Sequence, residues 1–181
     1  MKHLLLSTFS FAILFLTLPC QAQNYDFSAE APSGQTLYYN IVNGGAQLAH
    51  TGSGAGSLLI IPDTVTYNGI GYPVTSIGEY ALAYTSLSSV TIPNTVTSIE
   101  NHAFRNSTSL SSVTIPNSVT HIGYCAFGCC SSLTGVTIPN SVTSIEESAF
   151  AECTSLTSVT LPNSKDEQIR MRKRSLQNLS C

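Results

Sequence analysis

The sequence predicts a mainly β solenoid of parallel strands, and three observations predict it. The dipeptides Ile92-Pro93, Ile115-Pro116, Ile138-Pro139 and Leu161-Pro162 recur every 23 residues. The rest of the unit keeps step, with Val96, Val119 and Val142, Ile99, Ile122 and Ile145, and Ala103-Phe104, Ala126-Phe127 and Ala149-Phe150 at the same period. Within a unit, apolar Leu110, Val113 and Ile115 alternate with Ser112 and Thr114, the periodicity of a half-buried strand. A fixed period in the twenties marks stacked coils, because one unit cannot bury its apolar face until the next lies against it.

The N-terminus sets the compartment. Lys2 and His3 precede an apolar run from Leu4 to Leu18 and the small-residue pattern Cys20-Gln21-Ala22, which reads as a cleaved signal peptide over residues 1–22. The run falls short of the roughly 20 residues that cross a bilayer, so no membrane span is expected after cleavage. A lipoprotein acylated at Cys20 is the alternative, poorly served by Pro19. Residues 23–57 read as an N-terminal β cap and linker. The alternation in Thr36–Val42, followed by Asn43-Gly44-Gly45, is a β-hairpin signal, placed to shield the open edge of the first solenoid strand. The Gly/Ser stretch from Thr51 to Ser57 links it to the coils.

Residues 58–164 form the solenoid. Strands are expected near 58–61, 87–92, 110–115, 133–138 and 156–161, pairing in parallel at about 4.8 Å per step to give a sheet roughly 20 Å wide. Pro116 removes a ladder donor and ends its strand, and Asn117-Ser118 turns the chain. Val119 and Ile122 point back into the core, and Ala126-Phe127 is expected to close the coil in a tight or short helical turn. Leu59-Ile60-Ile61-Pro62 is a first rung with a return path lengthened by residues 67–72. From Lys165 the pattern is lost, since Val142, Ile145 and Ala149 are succeeded one period later by Lys165, Gln168 and Arg172. Residues 165–181 are an irregular basic tail. It is either a polar cap laying Ile169, Leu176 and Leu179 over the last coil, or unselected sequence beyond an interrupted reading frame.

The unit L-x-x-V-x-I-P-N-S-V-T-x-I-x-x-x-A-F-x-x-C-x-S resembles the BspA-like leucine-rich repeat of bacterial surface proteins, over roughly residues 58–164. It differs from the commonest leucine-rich consensus in carrying its Asn one position earlier. The resemblance implies a leucine-rich-repeat solenoid whose sheet face and loops bind partners, with roles in attachment to host matrix or neighbouring cells. It implies a protein partner, with a glycan as the other partner class. The different readings are a structural component of an envelope assembly and a truncated remnant of a longer repeat protein.

Charge narrows the classes. Between Asn24 and Ser164 eight acidic residues face Arg105 alone, giving 1 − 8 = −7, and the tail carries five basic and two acidic residues, giving +3. The body offers no basic track, which argues against nucleic acid. The outward face of the strands should carry Ser89 and Thr91, Ser112 and Thr114, Gly135 and Thr137, and Ser158 and Thr160 in two parallel hydroxyl columns. That is the expected partner-binding face, supplemented by Tyr84, Arg105 and Glu152 where the copies differ. Ser and Thr are also ordinary solvent-face strand residues.

Other chemistry is sparse. Cys130 and Cys153 stand one period apart, which allows a disulfide; the other reading is a column of buried thiols, with Ser107 in the same slot one coil earlier. His121, Cys125 and Cys129 would align on a helix as metal ligands, but the stretch is short and broken by Gly123 and Gly128, so no metal is expected. Glu146, Glu147 and Glu152 read as solvated surface. His50, His102 and His121 lack the context of a nucleophile motif, and there is no phosphate loop. The sequence points to no enzyme and no cofactor.

Overall fold

The computed structural model describes residues 25–52 and 56–160. The expected signal peptide at 1–22 and the tail at 165–181 lie outside them. All regular elements in the described residues are strands. The N-terminal cap contributes β1 (Phe27–Glu30), β2 (Thr36–Val42) and β3 (Gly45–Thr51). β1 and β3 both pair antiparallel with β2. The β2–β3 turn puts Asn43 at φ 51° and Gly44 at φ 79°, the two positive φ values that a type I′ hairpin requires.

Each coil then holds two strands. The first series is β4 (Leu58–Ile60), β7 (Ser89–Thr91), β9 (Ser112–Val113), β11 (Gly135–Thr137) and β13 (Ser158–Thr160). It occupies the expected positions, though the strands are shorter, because Leu87, Leu110 and Leu133 sit in the corners before them as buried plugs. The second series is β6 (Ile70–Ile77), β8 (Ser98–Ile99), β10 (His121–Ile122) and β12 (Ser144–Ile145), a parallel ladder on the opposite side of the core. Strands of two residues carry too little alternation to show in a sequence, so the return path reads as irregular chain.

One further expectation is corrected and another is made specific. The hairpin joins the second ladder, with β3 parallel to β6, and does not cover β4. That edge is instead closed by two side chains of the β1–β2 turn: the Ile60 N–H donates to Ser33 Oγ at 3.0 Å, and Gln35 Nε2 donates to the Leu58 carbonyl at 2.9 Å. The lengthened return path is itself a hairpin, β5 (Thr64–Tyr67) against β6, turning at Asn68 (φ 50°) and Gly69 (φ 78°).

The closing turns are tight turns and not the helical alternative. In successive coils the pairs Tyr80 and Tyr84, His102 and Asn106, Cys125 and Cys129, and Ser148 and Glu152 are left-handed, with φ between 47° and 61°. A helix cannot pass through such residues. Each is the third residue of a tight turn, the position that needs positive φ in a type II turn. Ala103, Arg105 and Ser107 donate locally to Glu100, His102 and Phe104, while the alternate N–H groups of His102, Phe104 and Asn106 donate to Tyr124, Ala126 and Gly128 of the following coil at 2.7–2.9 Å. At the opposite corners the direction reverses: Thr97, Thr120 and Thr143 donate back to Thr75, Thr97 and Thr120, and Ser111 donates back to Ser88. A left-handed conformation costs a non-glycine residue roughly 1–2 kcal/mol; the hydrogen bonds it aims at the neighbouring coil offset that cost.

The core runs the length of the stack. Ala103, Ala126 and Ala149 are fully buried, small enough to let Phe104, Phe127 and Phe150 lie behind them. These rings stack with centroids 4.8 and 5.1 Å apart and planes within 8° and 1°. In the cap, Phe27 stacks on Tyr39 and Tyr67. The Tyr39 hydroxyl is buried without a hydrogen-bond partner among the described residues, and burial pushes its pKa well above the usual phenol range.

Candidate functional site

Hydroxyl groups divide into two populations. Those one residue ahead of the first-series strands are used in stitching: Ser88 donates to the Ser57 carbonyl at 2.8 Å, Ser111 to Ser88 at 3.2 Å, Thr134 to Ser111 at 3.4 Å and Thr157 to Thr134 at 3.1 Å. At the other corner Thr97, Thr120 and Thr143 each donate at 3.2 Å to the coil before. Within the strands, period-2 alternation turns Val90, Val113 and Val136 inward and their neighbours outward. Ser112, Thr91, Thr114, Thr137, Ser158 and Thr160 are exposed and Ser89 is half-buried. The hydroxyls of Ser89, Thr91, Ser112, Thr114 and Thr137 make no hydrogen bond to the described residues. The expected face is therefore a surface of unused donors and acceptors.

It is not one continuous sheet. β4, β7 and β9 form a three-stranded ladder and β11 and β13 a two-stranded one, with no strand pairing across β9 and β11. The single expected five-stranded sheet is corrected at this seam, where Gly135 stands in the place of Ser89, Ser112 and Ser158. A groove of about 370 Å³ opens there, lined among others by Thr114, Asn117, Gly135, Thr137, Ser158 and Thr160. Four of the expected site residues are thus brought together, while Ser89, Thr91 and Ser112 lie outside the groove.

The variable loop residues are on another edge. Tyr84 is 69% exposed, and Arg105 and Glu152 are half-buried in the closing turns. The same edge holds a row that the sequence reading missed. Tyr80 stacks on His102 at 4.7 Å, and His102 meets Tyr124 edge-on at 5.3 Å. Tyr80 and His102 share one position in the repeat, so the signal was present in the alignment of the copies. Burial first, and then Arg105, lower the His102 pKa, against an opposing pull from Glu79.

Cys130 and Cys153 are thiols, with no bridge between them. Cys130 Sγ donates to the Phe104 carbonyl at 3.2 Å and Cys153 Sγ to Phe127 at 3.1 Å, just as Ser107 Oγ donates to Leu82 at 2.7 Å. Each sulfur is turned onto the backbone of the coil before it, which is the buried-column alternative. Burial raises the Cys153 pKa to about 12. His121, Cys125 and Cys129 do not assemble: Cys125 is buried, and His121 Nε2 lies 3.7 Å from Glu146 Oε1. Among the described residues no three His, Cys, Asp or Glu side chains are placed to hold a metal, and no helix is long and apolar enough to cross a membrane.

Residues 75–178 match the model of the BspA-type leucine-rich repeat region, in six copies. A leucine-rich repeat protein from Bacteroides capillosus superposes with a TM-score of 0.66 at 32% identity, covering 75% of this chain and 99% of the other. A second, from Bacteroides ovatus, gives 0.60 at 31% identity, covering 76% of this chain and 42% of its own length. A leucine-rich cell surface protein from Faecalibacterium prausnitzii gives 0.57 at 33%, covering 78% and 44%. The chain thus spans nearly all of the first and less than half of the other two. No curated protein matches it.

Proposed function

Because this chain belongs to the BspA-type leucine-rich-repeat family, we propose that it is an exported, cell-surface module that binds a protein partner on host matrix or on neighbouring cells. The observation that carries the reading is the division of labour among hydroxyls. The corner Ser and Thr side chains are consumed between coils, and those of the first-series strands are left open on an uncharged face. Such groups can pair with a partner's backbone without first breaking internal bonds, and each hydrogen bond made at a desolvated contact contributes about 0.5–1.5 kcal/mol. Likeness to a protein described as a leucine-rich cell surface protein supports the location, and the apolar segment at residues 4–18 supports export.

The test is binding of the purified full chain to immobilised extracellular-matrix proteins, beside a variant carrying Thr114→Glu and Thr137→Glu. Both positions are exposed, so the fold should survive. Loss of binding in the variant supports the face; equal binding in both, or none in either, sinks it.

A further inference from the structure

The edge built by the closing turns gathers exposed aromatic surface and negative charge. Tyr80, Tyr84 and Tyr124 are 44%, 69% and 37% exposed. On the same turns stand Glu79, Glu100, Glu146, Glu147 and Glu152, five of the eight acidic residues between Asn24 and Ser164, with Arg105 as the one Lys or Arg among the described residues. The backbone fixes their register. Tyr80 N–H donates to the Asn101 carbonyl at 3.4 Å, His102 to Tyr124 at 2.8 Å and Cys125 to Glu147 at 3.3 Å. Glu79, Asn101, Tyr124 and Glu147 thus share one position on successive coils, and Tyr80 and His102 share the position beside it. The rings are set by mutual contact: Tyr80 lies flat on His102, 4.7 Å away and 13° from parallel, and Tyr124 stands at right angles to His102 at 5.3 Å. Burial first, and then Arg105, lower the His102 pKa against the pull of Glu79, so at neutral pH its imidazole adds no positive charge.

We propose that this edge docks a protein segment bearing arginine and lysine side chains, arginine above all. The proposal goes beyond the strand-face reading and does not depend on it, since it uses other residues on another edge. The chemistry of the edge selects the occupant. An aromatic face attracts a cation within about 6 Å of the ring centroid, and a carboxylate beside it adds a charge-assisted hydrogen bond. Here the two kinds of group adjoin: exposed Glu79 precedes Tyr80, and exposed Glu147 follows Tyr124 one coil on. A segment carrying carboxylates would be repelled, and a neutral one gains nothing from the glutamates. From Glu79 to Glu147 the row takes three coil-to-coil steps of about 4.8 Å, roughly 14 Å in all, long enough to hold more than one cationic group of the same chain. Rings already fixed before binding lower the cost of ordering them. Guanidinium outdoes ammonium because it both stacks on a ring and pairs with a carboxylate through two parallel bonds.

The test is fluorescence anisotropy of labelled Gly/Ser peptides that carry Arg, Lys, Gln or Glu at the same positions, titrated with the full chain at low ionic strength. The Arg peptide should bind more tightly than the Lys peptide, both more tightly than the Gln peptide, and the Glu peptide not at all. The variant Tyr80→Leu, Tyr124→Leu keeps bulk and charge but removes two ring faces. It should weaken Arg-peptide binding roughly five- to thirtyfold, the value of two exposed cation–π contacts, and erase the preference for Arg over Lys. The isosteric variant Glu79→Gln, Glu147→Gln, changed only at exposed positions, should weaken both basic peptides alike. Far-UV circular dichroism melts establish that each variant is folded; the Arg-over-Lys order is read on the parent chain and needs no variant. No binding of the Arg peptide overturns the proposal. So does equal binding of the Arg and Lys peptides that the tyrosine pair leaves unchanged, which would be diffuse charge attraction. The rival occupant is the chain's own basic tail, so the titration is repeated with Arg170, Arg172, Lys173 and Arg174 changed to Gln. Little change in affinity supports an external partner; binding that appears only after this change assigns the edge to the tail and overturns the partner reading. Matrix binding by the Thr114→Glu, Thr137→Glu variant remains the separate test of the strand face.

Discussion

Truncating Phe127 to alanine removes the middle ring of a three-ring column. Phe127 is fully buried, with Phe104 at 4.8 Å on one side and Phe150 at 5.1 Å on the other. A Phe→Ala change in a packed core costs about 3–5 kcal/mol, and each aromatic pair is worth about 0.5–1.5 kcal/mol beyond the area it buries. Phe127 loses two such pairs; Phe150, 2% exposed, has one stacked ring among the described residues. Phe127→Ala should therefore cost more than Phe150→Ala by one pair, about 0.5–1.5 kcal/mol. Against a total stability on the order of 5–15 kcal/mol, either change is severe and the difference is measurable. The assay is guanidinium unfolding monitored by far-UV circular dichroism, since the chain has no tryptophan. If Phe150→Ala is equally or more damaging, or if Phe127→Ala costs less than about 2 kcal/mol, the rings do not act as a nearest-neighbour column.

Three more perturbations have defined outcomes. Tyr39→Phe deletes a buried hydroxyl that lacks a partner among the described residues, and should leave stability unchanged or raise it by up to about 1 kcal/mol; a clear loss in a thermal melt would mean the hydroxyl is bonded. Burial lowers the pKa of His50 and is the leading cause at His102. The unfolded chain therefore binds more protons than the folded one near and below the ordinary imidazole value of 6.5, and stability should fall as pH drops through that region. Between about pH 7.5 and about pH 5 the double variant His50→Gln, His102→Gln should lose less stability than the parent, and an identical loss would contradict the assignment. Iodoacetamide at neutral pH should label Cys153 far more slowly in the folded than in the denatured protein, because its thiol, with a pKa of about 12, is almost never ionised and the thiolate is the nucleophile; mass spectrometry after brief exposure measures this.

The coil was legible because its period is written in large apolar residues. Val96, Ile99, Ala103, Phe104 and Leu110 had to repeat for each coil to bury the next, and all are buried. The outward serines and threonines came from alternation alone. What stayed hidden was set by hydrogen bonding. The second ladder consists of pairs such as His121-Ile122, whose identity as strand comes from the neighbouring coil and not from local pattern. Of the two expected closures the tight turn is the one formed, and local sequence could not choose it because left-handed residues here include Tyr84, Cys125 and Glu152, types with no sequence-level preference for positive φ; tertiary bonds impose it. The break between β9 and β11 stayed hidden because pairing between coils is set by backbone geometry and leaves no mark in the sequence of either strand.

The opposed directions of hydrogen bonding on the two edges of each coil have a consequence for growth. In an α-helix all peptide groups point one way, and the ends accumulate partial charge. Here the closing turns donate forward and the strand corners donate backward, so the dipoles of the two edges oppose one another and lengthening the stack builds up little potential at its ends. The same arrangement is keyed. A coil facing forward presents donors along the turn edge and acceptors along the corners, and only a coil of the same orientation answers both; a coil turned end for end sets donor against donor. The repeat can thus be duplicated many times at little electrostatic cost, always in one polarity.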